Sequence, residues 1–117
     1  MNTLTKHYLI AALWTSQNEE EFLDDIYDIY DFAEESVENA EKDLNKFKEL
    51  CDHGKLNPFE SMTEGQFGHD FWLTRNGHGA GFWDRGLGKL GDKLTYLCKA
   101  CGESDCYIGD DGKVYLT

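Results

Sequence analysis

A chain of 117 residues with 40% hydrophobic and 29% charged residues is long enough for one domain with a modest core, and it holds no low-complexity tract that would read as disorder. Its formal net charge of −12 excludes non-specific binding to nucleic acid or to an anionic membrane, because both require basic surface. The apolar run Tyr8–Trp14 is too short to span a bilayer, follows a single basic side chain (Lys6) and precedes no small-x-small site, so no secretory signal is expected. The four cysteines are then expected as thiols in a reducing, cytoplasmic compartment.

In chain order, Leu4 to Trp14 reads as a first helix capped by Thr3 or Thr5, with a short buried strand as the competing reading. Ser16 and Glu19 have the spacing of a capping box. From there an acidic amphipathic segment follows the helical period through Phe22, Ile26 and Ala33, then Val37, Ala40, Leu44, Phe47 and Cys51. No glycine or proline interrupts residues 18 to 53, which is long for one helix. A break is therefore expected near Asp28 to Asp31, with Phe32–Cys51 as a helix and Gly54 as its C′ stop. Met62 to Gly68 reads as a short helical turn capped by Ser61 or Thr63.

Residues 68 to 86 hold two of the three tryptophans, two of the four histidines and both arginines. Aromatic runs flank Asn76-Gly77-His78-Gly79-Ala80-Gly81, and this pattern predicts a β-hairpin: Asp70–Arg75 as one arm, Phe82–Asp84 as the start of the other, with positive φ at the Asn76-Gly77 turn. Leu87, Leu90, Leu94, Leu97 and Cys101 then repeat at helical spacing up to Gly102. A second hairpin follows, with Cys106–Ile108 and Val114–Leu116 joined by the turn Gly109-Asp110-Asp111-Gly112. The whole is an α+β domain over residues 1 to 117. Its N-terminal helices, one long and acidic, would pack on a small antiparallel sheet of two hairpins separated by a helix. Residues 1 to 54 are mainly helical and acidic in this reading, and 55 to 117 run hairpin–helix–hairpin.

Four groups of residues carry candidate chemistry. Glu19 to Glu41 contains 11 acids and no base. Such a run is by default a solvated face; as a binding surface it would imitate the phosphates of nucleic acid or match a basic partner, with Glu19, Glu20, Asp24, Asp28, Glu34 and Glu38 as contacts. The interspersed Phe22, Ile26, Tyr27, Ile29, Tyr30 and Phe32 mark it as folded and packed. In the central segment, His69 or His78 would serve as a general base oriented by Asp70 or Asp84, with Arg75 or Arg85 holding an anion. The structural alternative pairs Asp70 and Asp84 with Arg75 and Arg85 across the hairpin. Of Phe71, Trp72, Phe82 and Trp83, three are expected in the core and one outside; Trp72 and Trp83 are the candidate exposed anchors. Lastly, Cys98, Cys101 and Cys106 could hold zinc with Cys51 or His53, but Cys101 lies on an apolar helical stripe, where a cysteine is a small hydrophobe. No metal or other cofactor is expected.

The stretch Gly68–Gly86, followed by Leu87-Gly88 and Gly91–Thr95, resembles a group of small uncharacterised proteins encoded by tailed bacteriophages and prophages. Tyr107–Tyr115 resembles that group's ending, and Tyr8–Trp14 its opening. The likeness covers about half the chain; the acidic middle lies outside it, and Cys98, Cys101 and Cys106 are features of this sequence. The resemblance implies a small accessory protein made in the cytoplasm of an infected bacterium.

The leading expectation is a non-enzymatic phage-type protein that modulates a host or phage macromolecule through an acidic surface. Its partner would be a protein with a basic surface, with no direct nucleic-acid binding and no membrane. The alternatives are a small enzyme acting on a nucleotide or phosphorylated substrate through the central His, Asp and Arg residues, and a zinc-stabilised adaptor.

Overall fold

The computed structural model describes all 117 residues. Four helices carry the molecule: α1 (Thr3–Thr15), α2 (Glu34–His53), α3 (Glu64–Arg75) and α4 (Lys89–Ala100). Two separate two-stranded antiparallel ladders complete it, β1 (Gln17–Asn18) with β2 (Glu21–Phe22) and β3 (Cys106–Ile108) with β4 (Val114–Leu116). The class is α+β, as the sequence leads one to expect, but the two ladders do not join into one sheet.

The largest departure is the central segment. Residues 70 to 75 are the second half of α3, not a hairpin arm, and Phe82–Asp84 is a single 3-10 turn. Residues 55 to 117 thus run helix, helix, hairpin. The helix signals are present: Thr63 Oγ1 accepts from Gln66 N at 3.1 Å as N-cap. Gly77, at φ 71°, closes the other end, with its own N–H on Thr74 O and the His78 N–H on Leu73 O. That is a Schellman cap, so the positive φ belongs to a helix stop and not to a hairpin turn.

Smaller corrections have the same local character. Asn2 caps α1, its Oδ1 accepting from Thr5 N at 2.9 Å, in place of Thr3 or Thr5. Ser16 and Glu19 start no helix; the chain turns back at Glu19 (φ 59°) to form the β1–β2 ladder. The break before α2 does fall at Asp28–Asp31, where Asp28 and Asp31 exchange capping-box bonds around a 3-10 turn. Gly54 is the C-cap of α2 at φ −79°, and Lys55 takes the left-handed C′ position at φ 58°.

The core forms where α1 lies across α3. Gly68 permits the approach, since any side chain there would run into the Leu4 carbonyl. Tyr8 meets the Trp72 ring edge-on at 5.3 Å, and Phe71 stacks on Phe47 of α2 at 4.3 Å. Phe67 and Phe82 extend this aromatic layer, and Leu94 and Cys98 of α4 close it. The β3–β4 hairpin docks on the start of α2: Ala33 N donates to Val114 O at 2.9 Å, and Leu116 N to Ser36 Oγ at 3.0 Å. No helix is long and apolar enough to cross a membrane.

Candidate functional site

Helix α3 places the candidate catalytic residues on different faces. Asp70 is fully buried and meets Arg85 and His69. Arg85 grips it with Nε at 3.0 Å and Nη2 at 2.8 Å, and His69 Nδ1 lies 3.3 Å from Oδ1. Burial pushes the Asp70 carboxyl up, but the hydrogen bonds from His69 and Arg85 and the arginine's charge outweigh it and hold it below the ordinary aspartate range. The Trp14 ring stacks on the His69 imidazole at 5.8 Å, and Trp14 is itself half exposed. An imidazole fixed on its Nδ1 side by a buried carboxylate is the arrangement a general base needs.

The other members of the expected constellation lie elsewhere. Arg75 is buried between α1, α2 and α4, where it donates to Tyr8 Oη, Asp43 Oδ2 (2.7 Å) and the carbonyls of Cys101 and Gly102. That fourfold use makes it a structural hub. Burial disfavours its charge, but Tyr8 and Asp43 more than restore it, and its pKa rises further above the ordinary arginine value. Burial in turn pushes the Tyr8 phenol up to about 12 against the lowering effect of Arg75. Of the ion pairs expected across the segment, Asp70–Arg85 forms, whereas Asp84 pairs with neither arginine and Arg75 takes Asp43. His78 lies apart from His69, on a polar cleft of about 300 Å³ beside Thr15, Asn76, Asp105 and Cys106.

Three of the four aromatics are buried and one is not. Phe71, Phe82 and Trp72 lie in the core, and the Trp72 indole N–H donates to Thr15 Oγ1 at 2.8 Å. Trp72 is therefore a core residue and not an exposed anchor. Trp83 is 46% exposed on its 3-10 turn.

The three candidate zinc thiols are not gathered. Cys98 is buried in α4, Cys101 sits at its C-cap, and Cys106 opens β3 against the polar cleft. No three His, Cys, Asp or Glu side chains converge in a geometry that would hold a metal ion. Burial raises all four thiols, Cys106 to about 11 and Cys51 to about 12, which leaves them protonated at neutral pH.

The acidic stretch stands out on the surface. Ten of the 11 acids from Glu19 to Glu41 are exposed, including Glu19, Glu20, Asp24, Asp28, Glu34 and Glu38; only Glu41 is half-buried. Among them Phe22, Ile26 and Tyr30 are also exposed, at 47%, 51% and 79%. The sequence pattern expects this whole set packed. Phe32 is in fact buried, Tyr27 and Ile29 are half-buried, and the other three point to water. Sequence reasoning missed these exposed side chains and Trp14, and one signal was available: an apolar spacing drawn for a continuous helix does not hold once the chain breaks into a ladder and two 3-10 turns. Comparison of the chain with protein-family models, with curated proteins and with solved structures finds no match.

Proposed function

We propose that the protein is a non-enzymatic accessory protein of phage type, working in the bacterial cytoplasm. It binds a protein partner with a basic surface through the acidic face from Glu19 to Glu38. The observation that carries this reading is the joint exposure of the carboxylates and of Phe22, Ile26 and Tyr30 among them. Carboxylates steer and select a basic partner, while desolvated aromatic and aliphatic anchors supply the energy that screened surface charges lack. A face that combines spaced negative charge with apolar contact suits a protein that itself binds nucleic acid, whose phosphates the carboxylates would imitate. The test is capture from bacterial lysate on the wild type and on the E20K/D24K/E38K variant, with affinity then measured against salt. The expected complex weakens as salt rises and is lost with the variant, while His69→Ala and His78→Ala stay within about tenfold of wild type. A complex indifferent to salt and to charge reversal would overturn the reading.

One observation favours the enzyme reading, the buried Asp70 behind His69. Against it, neither arginine expected to hold the substrate's phosphate is free to do so: Arg85 grips Asp70, and Arg75 is buried against Asp43. The same variants separate the two readings, since a general base is worth about a hundredfold or more in turnover.

A further inference from the structure

The outer face of the β3–β4 hairpin carries a second feature. Tyr107 and Tyr115 face each other across the ladder with ring centroids 5.7 Å apart and planes inclined by 19°. The alternate residues Val114 and Leu116 point into the core, so this tyrosine pair is left on the solvent side. With Gly109, Asp110 and Asp111 the rings line a shallow cavity of about 280 Å³. Its walls are fixed. The Tyr115 hydroxyl donates to Asp111 Oδ2 at 2.6 Å, and Asp111 Oδ1 accepts from Lys113 N at 3.0 Å. The Tyr115 ring lies against Gly109, where a side chain would displace it. The exposed Asp110 carboxylate takes no part in these bonds.

The cavity also borders the acidic face. Hydrogen bonds from Ala33 and to Ser36 pin β4 beside the start of α2. Glu35 lies close enough to add to the upward push on the Tyr115 phenol, which comes first from its bond to Asp111. Aromatic faces beside carboxylates attract a flat, weakly hydrated cation, and a guanidinium fits both: it stacks on a ring and donates in its plane to an acid. A lysine ammonium is more strongly hydrated and gains less. Lys113, at the far end of the turn, belongs to this chain and brings its positive charge close to Asp111.

We infer that the Tyr107–Tyr115 cavity seats an arginine side chain of the basic partner, stacked on Tyr107 and hydrogen-bonded to Asp110. The inference rests on the acidic-face reading for the existence of such a partner, but its geometry is independent of it. The test is an aromatic NMR titration with the peptide acetyl-Gly-Arg-Gly-Arg-Gly-amide and with its lysine and citrulline counterparts. The ring signals of Tyr107 and Tyr115 should move with the arginine peptide, less with lysine and not with citrulline. Tyr107→Leu should weaken the arginine peptide about fivefold, and Tyr107→Phe should retain it. Still ring signals, or a Tyr107→Leu protein that binds as wild type, overturn the seat even where E20K/D24K/E38K abolishes binding, an outcome that leaves the acidic face standing. Moving ring signals with an indifferent triple variant support the seat and count against the face.

Discussion

Residues 64 to 75 bury Asp70 and Arg75 and supply each with hydrogen-bonding partners, whereas residues 19 to 31 leave seven carboxylates and three large apolar side chains in water. The two stretches are of similar length, and each mixes charge with aromatics. In the first, every polar group inside the core is matched, as low local polarity demands, and no buried side-chain nitrogen or oxygen lacks a partner. In the second, the backbone is held by a short ladder and a capping box, Leu23 enters the core with Tyr27 and Ile29 packed against it, and the carboxylates with Phe22, Ile26 and Tyr30 stay outside. The lesson is a division of labour. Stability is concentrated where α1 crosses α3, and the acidic stretch joins the core only through Leu23, Tyr27 and Ile29, which leaves its carboxylates and Phe22, Ile26 and Tyr30 in water.

Three measurements would sharpen or break this contrast. The largest effect is expected at Gly68, where valine would meet the Leu4 backbone. Loss of about 4 kcal/mol or more is expected, enough to lower the melting temperature by more than about 15 °C in a domain of this size. A variant that melts like wild type would mean the helices do not approach so closely, and the contrast would lose its first half.

An intermediate effect belongs to Asp70. Its folded pKa is depressed, so its stabilising contribution is fully present above the ordinary aspartate value of about 3.9 and is lost as pH falls through the lower folded value. Asp70→Asn should therefore cost about 1–3 kcal/mol at pH 7. The gap in urea midpoint between wild type and variant should close below about pH 4. A gap that stays constant from pH 7 to pH 3 would show that the carboxylate's charge contributes nothing.

The smallest effect is expected from E20K/D24K/E38K. Stability should change by no more than about 0.5 kcal/mol. At low salt the sign should favour the variant, because it relieves self-repulsion in a chain of net charge −12. Thermal melts at low and high salt would check this. A large loss of stability would show that these carboxylates share in holding the fold.

How much of this was legible depended on how one-sided each element is. Helices α2 and α4 each bury one stripe, Ala40–Leu44–Phe47–Cys51 and Leu94–Cys98, so their period shows in the sequence. The C-terminal hairpin shows through its alternation and its turn. Helix α3 is buried on nearly every side, from Gly65 and Phe67 through Arg75. With no polar face, it displays no helical period, and its glycines and aromatics read as a strand near a turn. The site followed the same rule. The acids and the Asp70–Arg85 attraction were legible from residue types, but Asp43 as the partner of Arg75 was not, because that pair depends on how α2 and α3 cross.

The docking of β4 on residues 33 and 36 also sets an order of events. The bond from Leu116 to Ser36 joins groups 80 positions apart in the chain, and closing so long a loop costs conformational entropy before any contact repays it. On a ribosome, residues 28 to 36 are made long before the strand that fastens them. Until then the neighbouring acidic stretch lacks its anchor and the Val114 site on the core is uncovered. The nascent chain therefore presents its negative charge before the segment that carries it is fastened, which waits for the synthesis of residues 104 to 117.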